Sequence, residues 1–236
     1  MKQIYTSILF VFISAHTVFS QSGELGTWNI LHVRYNLNDR LSLFGEGQLR
    51  SLKFYDNYHY YEYKGGVNFR MHQHLQVSLA AGSYQTYREG GDFVLPKNND
   101  EFRIWPQVIF FQSLGPLRIE HRYRAESRFT SNGYRNRFRY RLGLSYPFGK
   151  QKNGYQPFQV STSNEVFFTN RGPYFERNRF FLGGAYKPSI ASSIQVGYLY
   201  QYDYQINDET GRDFFQIAYT IDLFRKSRTS SAVDLD

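Results

Sequence analysis

From residue 134 to residue 148 the chain alternates with period two, and no other feature narrows its fold as much. The even positions, Asn136, Phe138, Tyr140, Leu142, Leu144, Tyr146 and Phe148, are mainly apolar and aromatic. The odd positions carry Arg135, Arg137, Arg139 and Arg141, then Gly143 and Ser145. An extended strand sends successive side chains to opposite faces, so this segment has one apolar face and one cationic face. A helix, with 3.6 residues per turn, would mix the two sets. The block before it repeats the pattern. Leu117, Ile119, His121, Tyr123, Ala125, Ser127 and Phe129 share one face, and Arg118, Glu120, Arg122, Arg124, Glu126 and Arg128 share the other.

Weaker blocks follow the same rule. Leu43 and Leu49 oppose Glu46 and Arg50; Tyr61 and Tyr63 oppose Glu62 and Lys64. Phe102 and Ile104 oppose Glu101 and Arg103; Val166 and Phe168 oppose Glu165; Phe180 and Leu182 oppose Arg177 and Arg179. Ile194, Val196, Tyr198 and Tyr200 oppose Gln195, Gly197 and Gln201, and Phe215, Ile217, Tyr219, Ile221 and Leu223 oppose Gln216, Thr220 and Asp222. With Trp28–Tyr35 and Leu75–Tyr84 this makes eleven candidate strands, and no helical period or domain linker interrupts them. The pattern predicts an all-β fold, a transmembrane antiparallel up-and-down barrel of 10–12 strands. Bacterial single-chain barrels have even strand numbers. Eleven candidates therefore imply that Trp28–Tyr35 lies outside the wall, or that one block is split or missed. Connections read as alternately short (36–40, 71–74, 113–116, 148–155, 187–192) and longer or more polar (51–59, 88–100, 130–133, 170–175, 203–212). Short inner turns and longer outer loops are expected of such barrels.

Met1–Ser20 reads as a secretory leader. Lys2 gives the positive start, Ile8–Ile13 a short apolar core, and Val18, Phe19 and Ser20 a cleavage region before Gln21. The apolar run is too short for a spanning helix, and no other segment reaches ~18 apolar residues. The expected layout is a leader at 1–20, a barrel at 21–224 and a polar tail at 225–236. The chain has no cysteine, which removes a disulfide framework, a thiolate metal site and a lipoprotein anchor. A mean hydropathy of -0.55 argues against a bundle of membrane helices but not against a barrel, whose strands are only half apolar.

Alternation alone does not say which face meets lipid. Three features point to an apolar exterior in a membrane. The strands run ~10 residues, longer than usual in soluble sheets. Aromatic residues such as Tyr134, Tyr146 and Phe148 recur at block ends, as in interfacial girdles. Both charge signs occur within one polar face, which suits mutual neutralisation in a narrow lumen. The aromatic fraction of 19% is then expected on the outer wall and its girdles. The last strand, Phe214 to Phe224, looks like the signal that barrel-assembly machinery reads. The implied place is the bacterial outer membrane, in contact with its lipid and lipopolysaccharide.

Several of these segments together resemble the domain of unknown function 2490 family. They are Gly26-Thr27-Trp28-Asn29, Glu46 with Arg50, Glu101–Trp105, Glu120–Arg124, Arg135–Arg141, Asn164-Glu165, Arg177–Arg179 and Gly197-Tyr198. The resemblance covers nearly the whole chain after the leader. It implies an outer-membrane β-barrel without an assigned activity, and it supplies no catalytic residue.

The chemistry concentrates in the inner-face charges. The expected network is Glu46, Arg50, Glu101, Arg103, Glu120, Arg122, Arg124, Glu126, Arg135, Arg137, Arg139, Arg141, Glu165, Arg177 and Arg179. Adding Lys64, Arg70, Arg118, Arg128, Glu62 and Asp222 gives fourteen basic against seven acidic side chains on that face. Two readings follow: a structural plug of arginine–carboxylate pairs, or a narrow pore that binds or passes small anions. An outer-membrane enzyme acting on lipid or lipopolysaccharide is the next alternative. Its candidates are weak: His72 and His74 fall in a turn, and His121 lies on the lipid face six residues from Ser127. That leaves His59 near Asp56. Asn98, Asn99, Asp100 and Glu101 offer hard oxygen atoms for calcium, although a loop-to-strand boundary explains them as well. No cofactor and no metal are expected. A soluble periplasmic ligand-binding barrel is the third alternative. Nucleic acid is not an expected partner, since export separates the chain from it.

Overall fold

The computed structural model describes residues 24–151, 154–204 and 210–225. The expected leader at 1–20 and the tail beyond Arg225 lie outside the described residues. Eleven strands are present among those described: β1 (Gly26–Asn36), β2 (Leu41–Lys53), β3 (Asp56–His72), β4 (Leu75–Arg88), β5 (Val94–Leu114), β6 (Leu117–Thr130), β7 (Gly133–Phe148), β8 (Phe158–Thr169), β9 (Phe175–Ser189), β10 (Ser192–Asp203) and β11 (Thr210–Phe224). Each pairs with its sequence neighbours, and β1 pairs with β11 to close the barrel.

The all-β barrel and its eleven strands fall within the expected 10–12, and the closure corrects only the inference that the number is even and the pairing wholly antiparallel. Trp28–Tyr35 is a wall strand, and no block is split or missed. An odd number of alternating strands makes the first and last run in the same direction, so the seam is parallel. It runs in unbroken register from Gly26↔Phe214 to Asn36↔Phe224. Side-chain period reports which face a residue takes. It carries no information on the partner strand, so the seam was not readable from it.

The alternation of short and long connections also fails. One end carries 37–40, 73–74, 115–116, 149–157 and 190–191; the other carries 54–55, 89–93, 131–132, 170–174 and 204–209. Pairing of β2 with β3 persists to Lys53↔Asp56, so residues expected in a loop are strand. Likewise β5 starts at Val94, well before Asp100. Strand tips outside the wall can be polar on both faces, and a composition rule reads them as loop. Gly115 shows what a tight connection demands: its φ of +59° is in the left-handed region, where a side chain is strained.

Burial is inverted relative to a water-soluble core. On β7, Arg137 is 3% exposed while its neighbour Phe138 is 51% exposed. Leu79, Tyr63 and Leu182 likewise point outward. A surface of this kind meeting water would be a large apolar patch, far beyond what monomeric soluble proteins expose. The aromatic excess, expected on the outer wall, is nevertheless not all there; Trp105 and Phe181 follow the parity of the inner-face charges on their strands. Trp28, Phe181, Leu199 and Phe214 form one interior cluster, and Tyr60, Ala80, Tyr84 and Trp105 form a second. Interior space in a barrel of this size must be filled, and large flat side chains fill it without unpaired charge.

Candidate functional site

The interior charges are organised around a few carboxylates. Glu126 on β6 is fully buried and faces four arginines from β5, β6 and β7. Arg139 is nearest at 2.6 Å, followed by Arg124 at 3.5 Å, Arg137 at 3.7 Å and Arg103 at 3.8 Å. Glu165 on β8 accepts two hydrogen bonds from Arg139, each 3.0 Å, and one from Arg122 at 2.7 Å. Glu101 on β5 is gripped by Arg103 at 2.8 and 2.9 Å, and by Arg128 from the adjacent strand. Paired two-nitrogen contacts of this kind fix the guanidinium plane as well as its position. Burying such charges costs several kcal/mol per ion, and close geometry with many hydrogen bonds must offset it.

The remaining residues fall into smaller groups. Glu46 meets Lys64 at 2.6 Å and His32 at 2.9 Å. Arg50 pairs with Glu62 at 3.2 Å and lies over the rings of Trp28 and Tyr60, at 3.4 and 4.0 Å. Glu120 and Arg141 pair with one another and are more exposed, next in register to Arg122 and Glu165. Arg177 pairs with Asp203. Arg179 donates to Gln201 at 2.9 Å and lies 4.8 Å from the rings of both Trp28 and Phe167. Arg135 makes no ion pair among the described residues, and its Nε is buried without a partner. Arg70 and Arg118, counted on the inner face from the sequence, are exposed near the strand ends.

These contacts join into a belt around the inside of the barrel. Trp28 touches Arg50, which touches Tyr60, and Tyr60 packs with Tyr84. Tyr84 faces Arg103 at 3.6 Å; Arg103 meets Glu126, and Glu126 meets Arg139. Arg139 lies 4.5 Å from the Phe167 ring, and Arg179 returns from Phe167 to Trp28. Cations thus alternate with aromatic faces and carboxylates, each supplying attraction where the other has charge.

A vestibule opens above the belt at the end carrying 89–93, 131–132 and 170–174, with a volume of about 950 Å³. Its wall holds eleven basic and five acidic side chains. Two β-bulges add residues that period two places outside. The β8–β9 register shifts between Phe167 and Phe168, which turns Glu176 inward beside Arg177. Glu176 then binds Arg137 through its Nε at 2.8 Å and reaches Arg128 at 3.4 Å. The β2–β3 register shifts between Arg50 and Ser51, and His59 turns into the vestibule next to Tyr60. A bulge puts two residues opposite one, so alternation slips by one without a signature in composition. Asp203, read as the start of a loop, was within reach of the alternation of β10.

A family model described as protein of unknown function, DUF2490, matches residues 25–212. The chain belongs to DUF2490. No curated protein matches it. The part of this DUF2490 chain that forms belt and vestibule, from Trp28 to Arg212, lies within the matched span. The other candidate chemistries gain no geometry. His59 is buried while Asp56 sits exposed at the β2–β3 turn. His121 bonds Tyr140 on the outer face at 2.9 Å. The rings of His72 and His74 meet at 5.5 Å, tilted by 38°, across their turn. At the suggested calcium position, Asp100 pairs with Lys97, and Asn99 presents its amide nitrogen to Glu101. No group of three or more metal-binding side chains occurs among the described residues.

Proposed function

We propose that the protein is an outer-membrane barrel whose lumen is closed by the arginine–carboxylate belt, leaving a vestibule open at one end. The observation that carries this reading is the inverted burial: Glu126, Arg137 and Glu101 inside, Phe138, Leu79 and Tyr63 outside. Such an exterior is stable in lipid and is a liability in water. Closure follows from the belt. An ion crossing it would have to displace charge pairs that are buried and mutually bonded, which costs far more than passage through a water-filled pore. The role is therefore structural or ligand-holding, and not catalytic. Fractionation tests the location: the protein should sediment with outer membranes and run faster on gels when unheated. Planar bilayers test the closure: no ion-selective conductance is expected. A soluble protein overturns the first part, and steady anion-selective channels overturn the second.

A further inference from the structure

We infer that the vestibule is a binding site for a small sugar carrying an anionic group, a phosphate ester or a carboxylate, with Arg179 holding the charged end. The volume of about 950 Å³ lies within the range of small-molecule sites, and residues of the connections 89–93, 131–132 and 170–174 line its mouth. Most cations on its wall are already matched. Arg137 has Glu176, Arg128 has Glu101, Arg177 has Asp203 and Arg212 has Glu89. Arg179, Arg135 and Arg171 have no carboxylate within 4 Å among the described residues. Arg179 uses its Nε on Gln201 and lies 4.8 Å from the rings of Trp28 and Phe167, so its two terminal nitrogens remain a fork for an oxyanion. Arg135 and Arg171 lie nearer the mouth. Asn170 bonds the backbone of Asn136 there, which ties the connection carrying Arg171 to the start of β7, where Arg135 lies.

The hydroxyl part of the ligand follows from the neutral wall. Gln48, Asn98, Asn99 and Gln201 line the same space. Asn99 Oδ1, an acceptor, is buried without a partner, as are Arg50 Nε, Arg135 Nε and His59 Nδ1. A bare oxyanion satisfies donors only. A ligand with hydroxyl groups also supplies the donor that Asn99 lacks, once the side chains turn toward it. The inference rests on the closed lumen proposed above, since an open pore would pass such a molecule instead of holding it.

The test is titration of the purified full chain in detergent with glucose 6-phosphate, glucuronate, glucose and inorganic phosphate. Calorimetry and tryptophan fluorescence, from Trp28 and Trp105 together, give two readouts. Glucose 6-phosphate or glucuronate should bind at least tenfold tighter than glucose and than phosphate, and the better of the two identifies the anionic group. Arg179→Gln should weaken that binding at least tenfold. Arg171→Gln, in an exposed connection where folding is not at stake, should weaken it about threefold. Equal affinity for glucose and its anionic forms overturns the inference, as does phosphate binding as tightly as glucose 6-phosphate. Unchanged binding in both variants also overturns it. Conductance measured on the same preparation separates this failure from a failure of the closed lumen.

Discussion

Glu126 is where the belt is most sensitive, and Glu126→Gln removes its charge without changing its shape. Four arginines face it, but they do not lose equally. Arg139 keeps Glu165, Arg137 keeps Glu176, and Arg103 keeps Glu101. Arg124 keeps no carboxylate within 4 Å among the described residues, only the neutral side chain of Gln107, at 2.6 and 2.9 Å, and the Trp105 ring, 5.0 Å away. The substitution therefore leaves one buried guanidinium without a counter-charge. Breaking a buried pair from one side costs about 3–5 kcal/mol, and the retained Gln107 bonds place this case near the lower figure, about 3 kcal/mol. Equilibrium unfolding by urea in lipid vesicles, followed by tryptophan fluorescence, measures it. Adding Arg124→Met to Glu126→Gln removes the stranded charge and should recover ~1 kcal/mol or more, a coupling that distant sites do not show. A loss below ~0.5 kcal/mol in Glu126→Gln would refute the idea that the interior cluster is a mutually dependent unit.

Three further outcomes follow from the wall. Leu79→Arg, on the outward face of β4, should cost ~2–4 kcal/mol in vesicles and impair insertion; normal assembly would mean that this face does not meet lipid. Because the chain has no cysteine, a pair placed at Ile30 and Ala218 reports on the seam alone. Oxidation should link them and change mobility on non-reducing gels, and no cross-link would count against the parallel β1–β11 pairing. The odd strand number starts β1 at the vestibule end and finishes β11 at the other. Tags placed before Leu25 and after Asp236 should then be digested from opposite sides of the membrane, and digestion from one side would contradict the eleven-stranded wall.

What could be read in advance follows from what period two encodes. It placed Arg137, Arg139 and Glu126 on one face of β6 and β7 and Phe138 and Tyr123 on the other, because a strand ties face to parity. Partner choice is a separate property, so the β1–β11 seam stayed hidden. Bulges break parity, and that is why strict alternation gives Glu176 and His59 no inward place. The interior aromatics share the parity of the inner charges, and it was the expectation that aromatic residues belong on the outer wall that misplaced them. Phe167 and Phe214 are hydrophobic, yet an interior as small as this has room for only so many hydrated charges. Which carboxylate serves which arginine depends on side-chain reach across neighbouring strands, as with Arg122 and Glu165 two strands away.

The most direct test of the inside-out arrangement uses single cysteines along β7, each carrying a small fluorophore, in vesicles containing brominated lipid. Quenching should be strong at Phe138→Cys, Tyr140→Cys, Leu142→Cys and Leu144→Cys, and weak at Arg137→Cys, Arg139→Cys, Arg141→Cys and Gly143→Cys. Quenching without this alternation, or with the opposite phase, would contradict an apolar wall in lipid around a charged interior.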